Sequence, residues 1–122
     1  MYCKLFLKHR IKSFRFAFRG VVTMFTQGGN ALVHGFATLC VVVAGIVCRI
    51  TIMEWIAVAI AVGMVMAAET FNSAVELLCD KICPKYDSMI GKIKDLSAGA
   101  VLWCALSAAL IGLLVFLPYL RC

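Results

Sequence analysis

Negative charge is the scarcest commodity in this sequence. Only 6 of its 122 residues are Asp or Glu, against 12 Lys and Arg, and charged residues together make up 15%. No acid lies between Met1 and Arg49. So little charge, beside 64% hydrophobic residues and a mean hydropathy of +1.01, excludes a soluble domain. A chain this short has too little interior to hide that much apolar surface. A bilayer removes the difficulty, because lipid covers apolar faces directly.

Other signatures are missing as well. The 7 cysteines contain no CxxC pair, since Cys79 and Cys83 are too far apart, and no His stands at zinc-finger spacing. Neither a disulfide framework nor a zinc site is expected. Cys40, Cys48, Cys79 and Cys104 lie in or at the ends of apolar runs, where a thiol packs as a small hydrophobe. There is no GxxxxGK[ST] and no GxGxxG, and Gly91-Lys92 is followed by Ile93. The soluble kinase and NTPase phosphate loops are therefore excluded. The basic N-terminal stretch is too long and too aromatic for a signal-peptide n-region, and no cleavable signal is expected.

What the chain does hold is organised along its length. Residues 4–27 read as an amphipathic helix. Phe14, Phe18, Val21 and Phe25 share one face, and Lys8, Lys12, Arg15 and Arg19 a face roughly 120° away. Such a helix suits the headgroup layer of a membrane. Gln27-Gly28-Gly29-Asn30 breaks it. A first span is expected over 31–48. A short outer turn, Arg49 to Glu54, leads to a second over 53–81, which continues past the bilayer with charges. Cys83-Pro84 ends that helix. A polar loop is expected over 82–94, then a third span over 95–117 closed by Pro118. Small residues along this span permit close helix contact.

The basic residues cluster before residue 20 and again between 81 and 94. Because they flank apolar spans, nucleic acid is a poor explanation for them. The positive-inside rule places both clusters in the cytoplasm. Three spans enclose little, so polar groups in one subunit are expected to stay partly exposed to lipid, which favours a homo-oligomer.

The acids that remain are not scattered. Glu69, Asn72, Glu76 and Asp80 fall within an arc of roughly 80° at about 100° per residue. A carboxylate such as Glu69, directly after the run Trp55 to Ala68, is expensive near lipid and points to function. Lys94-Asp95 opens the third span at the same membrane face. Carboxylates bind Mg²⁺, which binds nucleotide phosphates. A carboxylate with a raised pKa can take a proton from a hydroxyl. Together these groups could move a phosphoryl group from ATP to a lipid hydroxyl. The bland alternative is a solvated helix end carrying ordinary surface acids, which predicts acids around the whole helix.

The run Ala68-Glu69-Thr70-Phe71-Asn72-Ser73-Ala74-Val75-Glu76, with Asp80 after it, resembles the ExxNxAxE…D signature of the small prokaryotic diacylglycerol kinases. Lys94-Asp95-Leu96-Ser97-Ala98-Gly99-Ala100-Val101 is similar to their KD-x-[SA]-A-[AG]-A-V block, and Tyr86 and Gly91 fit the Y…G spacing before it. The resemblance runs from about Arg10 to Leu117. It implies an all-α integral membrane protein: a surface helix plus three transmembrane helices per subunit, in a homotrimer with sites between subunits. It also implies a multi-pass protein of the bacterial inner (cytoplasmic) membrane with its N-terminus in the cytoplasm.

By the same resemblance Glu69 is the base on the lipid hydroxyl and Glu76 binds Mg²⁺. Arg10, Asn72, Glu76, Lys85, Tyr86, Asp87, Lys94 and Asp95 match residues around ATP. Arg10, Phe14, Arg15, Arg19, Asn30, His34, Glu69 and Ala98 match residues facing the membrane lipid. The expected acceptor is diacylglycerol, giving phosphatidic acid. Asn30 and His34 look more like members outside the best-known diacylglycerol branch, which keeps undecaprenol as the alternative. One departure stands out: Gly28 occupies the place of a second metal-binding glutamate. That gap leaves a catalytically weak member as a further alternative, and a small proton-coupled transporter is the competing class.

Overall fold

The computed structural model describes residues 1–121. Four helices follow one another: α1 (Tyr2–Gln27), α2 (Ala31–Cys48), α3 (Ile52–Ile82) and α4 (Ser88–Leu120). No strand occurs among the described residues. The last three helices are long and apolar enough to cross a membrane. At about 1.5 Å per residue, the 18 residues of α2 span about 27 Å, close to the hydrocarbon thickness. The 31 residues of α3 and 33 of α4 are longer than any bilayer core requires.

Side-chain contacts at both ends show that α3 and α4 run antiparallel. Near their connection, Lys94 Nζ donates to Asp80 Oδ1 at 2.6 Å. At the far end, the Tyr119 hydroxyl donates to Glu54 Oε1 at 2.6 Å. Glu54 also closes a capping box with Thr51, which starts α3 cleanly. α2 packs against this pair, and Ile50, Val58 and Val115 form the core at the α2–α3 turn. Gly45 lets the Trp55 ring lie on α2, since a Cβ there would come within 2.6 Å of Trp55 Cη2. Large apolar side chains such as Phe36, Leu102 and Leu110 are exposed, as lipid-facing side chains are when the backbone bonds are satisfied within helices.

Two expected boundaries are corrected. The polar stretch 82–94 is not all loop, because α4 begins at Ser88, with the Asp87 carboxylate accepting from the backbone N–H groups of Met89 and Ile90. A side-chain cap of this kind starts a helix before the hydrophobic pattern becomes visible. Pro118 does not close the last helix, which continues through it to Leu120. Membrane helices tolerate a proline whose freed backbone groups are satisfied by neighbours.

α1 meets the rest only near its end. Residues 2–22 are exposed throughout, and Met24 is the buried anchor. The Thr70 hydroxyl lies 2.9 Å from Met24 Sδ.

Candidate active site

Glu69 and Asn72 lie one turn apart on α3, on the face turned toward α2 and α4. Glu69 is 1% exposed and Asn72 7%. The expectation that one subunit would leave these groups open to lipid is thus corrected, because α2 and α4 enclose them within a single chain. Glu76, a further turn along, is half-buried, and Asp80 is exposed. The stripe therefore climbs from dry interior to water over three turns.

His34 descends from α2 onto the buried end of the stripe. Its Nε2 stands 3.6 Å from Glu69 Oε2. That oxygen has no hydrogen-bond partner, and the same holds for Asn72 Oδ1 and Ser73 Oγ. Buried polar atoms are nearly always paired in folded proteins. Three orphans in one neighbourhood mark a place built for polar groups from outside the chain. A pocket of about 270 Å³ opens there, lined by Asn30, His34, Glu69, Asn72 and Ala98, with Val101, Leu102 and Ala105 behind.

The watery end of the stripe carries the cation. The ammonium of Lys94 is held by Asp80 and also feels the Glu76 carboxylate. With the two side chains 37% and 63% exposed, this pair adds little stability. What it does is fix a positive charge within the field of Glu76.

The other residues singled out from sequence are placed as follows. Asn30, His34, Glu69, Asn72 and Ala98 come together in the pocket. Neither Glu76, which lies one turn beyond Asn72 on α3, nor Lys94, which is held by Asp80, lines that pocket. Asp95 faces elsewhere, lining a separate groove along α4 with Lys92 and Trp103. Arg10, Phe14, Arg15 and Arg19 lie on the exposed part of α1. Arg10 stacks on Phe6 at 5.0 Å and Arg19 on Phe16 at 5.7 Å. Lys85, Tyr86 and Asp87 form the exposed α3–α4 connection, with Tyr86 fully presented and Asp87 engaged as the α4 cap. Ser73 was missed from sequence. Its neighbour Asn72 on the same buried helix was the only hint.

Whether a Mg²⁺ ion suits these residues depends on the donors. Among the described residues, no group of three or more His, Cys, Asp or Glu could hold a metal by itself. Mg²⁺ commonly takes one or two carboxylates, with the remaining oxygens from phosphates and water. Glu76 and the unpartnered Asn72 Oδ1 fit that pattern, so the site suits a cation that arrives with a nucleotide. Gly28 does not simply leave room for another acid. A Cβ there would lie 2.4 Å from the Met24 carbonyl oxygen and 2.9 Å from Ser73 Oγ. Gly28→Glu and Gly28→Ala are both expected to destabilise the protein, by roughly 1–3 kcal/mol of overpacking. Thermal unfolding in detergent checks this, and an unchanged midpoint in the Ala variant removes the steric claim.

The chain is similar to known proteins along most of its length. Residues 15–116 match the family model for prokaryotic diacylglycerol kinase. The chain is 33% identical over 114 residues to an undecaprenol kinase of Bacillus subtilis (strain 168), covering 93% of each protein. It is 31% identical over 107 residues to a diacylglycerol kinase of Synechocystis sp., covering 87% of this chain and 61% of that protein.

Proposed function

Because this chain belongs to the prokaryotic diacylglycerol kinase family, as the motifs around Glu69 and Lys94 indicated, and is a lipid kinase using a nucleotide donor, we propose that it transfers the γ-phosphoryl group of MgATP to a membrane-lipid hydroxyl with Glu69 as the base. The observation that carries this reading is the buried Glu69 carboxylate with its unpartnered Oε2. A base needs a free lone pair within reach of the proton it takes. The lipid hydroxyl donates to Oε2. Its oxygen forms the new bond to the γ-phosphorus as the bond to the bridging oxygen breaks, and ADP departs. The hydroxyl proton passes to Glu69. His34 Nε2 faces the same oxygen at 3.6 Å, beyond hydrogen-bond distance, and leaves its lone pair free for the hydroxyl. Lys94 offsets phosphate charge at the approach. Glu76 and Asn72 would hold a Mg²⁺ ion, which would supply charge neutralisation at the phosphates.

Two observations favour a prenyl alcohol over diacylglycerol as the acceptor. The relative that matches across 93% of both chains is an undecaprenol kinase. Asn30 and His34, the residues that looked unlike the best-known diacylglycerol branch, both line the pocket at Glu69. The basic clusters at both ends of this membrane face support a cytoplasmic N-terminus and the bacterial inner membrane as location. A homotrimer is the assembly proposed, on the strength of the motif resemblance.

The deciding assay presents undecaprenol and diacylglycerol side by side in mixed micelles with γ-labelled ATP. Label is expected in undecaprenyl phosphate. Label confined to phosphatidic acid reverses the acceptor, and label in neither lipid overturns the kinase reading.

A further inference from the structure

The pocket at Glu69 continues into the membrane. His34 and Ala105 line it and also line a second cleft of about 270 Å³ between α2, α3 and α4. This cleft runs from His34 to Val41 along α2 and from Val65 to Val58 along α3. At 1.5 Å per residue that is about 10 Å. Its walls are apolar, and Ala37, Ala61, Ala105 and Gly112 keep them low. Thr38 is the other polar residue there, and its hydroxyl is spent on the His34 carbonyl at 2.8 Å. At the far end Val58, Val41 and Ile111 join the core around Ile50 and Val115, which closes it. Ala37 and Ala109 are exposed, so one side stays open to lipid.

We propose that this cleft holds the hydrocarbon chain of the acceptor lipid over its first ~10 Å beyond the hydroxyl, and that its small residues decide which lipid alcohols are accepted. The proposal rests on the lipid-kinase reading and deepens it. An apolar slot whose mouth carries a buried, unpartnered carboxylate oxygen fits a molecule with one hydroxyl and a long apolar chain. A chain already in the bilayer gains no hydrophobic energy by entering, since lipid tails are as apolar as the cleft walls. Selection comes from fit. A chain that packs between the alanines holds its hydroxyl at Glu69, and a bulkier one holds it away, where small misplacements cost large factors in rate.

Gly112 provides the test. It lines the cleft and a Cβ there meets no atom within 4 Å, so Gly112→Leu is expected to fill the deep end of the cleft, with an unchanged thermal midpoint in detergent as the check on the fold. Gly63 is equally open but lies outside the cleft, so Gly63→Leu is the control. The long acceptor is undecaprenol or dioleoylglycerol, whichever the wild-type enzyme phosphorylates, and 3-methylbut-2-en-1-ol or diacetylglycerol, too short to reach the deep end, is its short partner. In Gly112→Leu the ratio of long-chain to short-chain kcat/KM is expected to fall roughly tenfold or more, with the KM for ATP unchanged. Gly63→Leu keeps the wild-type ratio. An unchanged ratio in Gly112→Leu overturns the proposal, and leaves the kinase reading intact as long as the wild type labels either lipid. A change in oligomer size in Gly112→Leu assigns the cleft to a second copy of the chain and also overturns it.

Discussion

Glu69→Gln is expected to lower the turnover of lipid phosphorylation by about 10² to 10⁴, the range a positioned general base contributes. The substitution keeps the shape of the side chain and its capacity to accept from a hydroxyl, and removes only its capacity to take the proton. At 1% exposure, Glu69 is shielded from bulk solvent. His34 is the one titratable partner in the pocket, and at 3.6 Å from Oε2 it sits on the carboxylate rather than in place of it. Binding of ATP, followed by calorimetry in detergent, should stay at the wild-type level, because Lys94, the cation proposed to meet the phosphates, is held by Asp80 away from the Glu69 pocket. A variant that retains wild-type turnover would remove Glu69 from the chemistry and leave its burial without a function.

Glu76→Gln should be nearly as damaging, for a different reason. The carboxylate stands half-buried between the dry pocket and the exposed Lys94–Asp80 pair. It is the charged oxygen donor best placed to meet a cation carried by nucleotide phosphates. Removing a preorganised group that offsets transition-state charge costs on the order of 10² to 10³ in turnover. Here part of the loss should return at high Mg²⁺, because water can fill the vacated coordination position. The measurement is a Mg²⁺ titration of initial rate in both proteins. The half-saturating concentration is expected to rise in the variant. A proportional loss at every Mg²⁺ concentration would show that Glu76 serves the reaction without touching the ion.

The two predictions differ in how far the sequence reaches toward them. Helical spacing is enough to put Glu69, Asn72, Glu76 and Asp80 on one face, because 3.6 residues per turn is a local property. Depth along that face is not local. It depends on α2 and α4, which lie far away in the chain, and so the pairing of His34 with Glu69 emerged only from packing. The same holds for Lys94 and Asp95. As neighbours in sequence they read as one element of the site, yet adjacent residues on a helix point about 100° apart. Lys94 turns to Asp80, and Asp95 turns to a groove with Lys92. The spans were legible from hydropathy, since lipid imposes that pattern directly. The start of α4 was not, because a single cap at Asp87 decides it against a polar background.

The thin attachment of α1 has a mechanical consequence. Within one chain α1 is anchored at Met24 and exposed along residues 2–22, so on the surface-helix reading it is a cantilever and not a strut within the protein. Its angle is set by where its aromatic and basic faces settle in the headgroups. Its fixed end passes straight through Gly28 and Gly29 to Asn30, at the rim of the pocket. On that reading a tilt of α1 in the headgroups reaches the mouth of the site across only the three residues between Gln27 and Ala31.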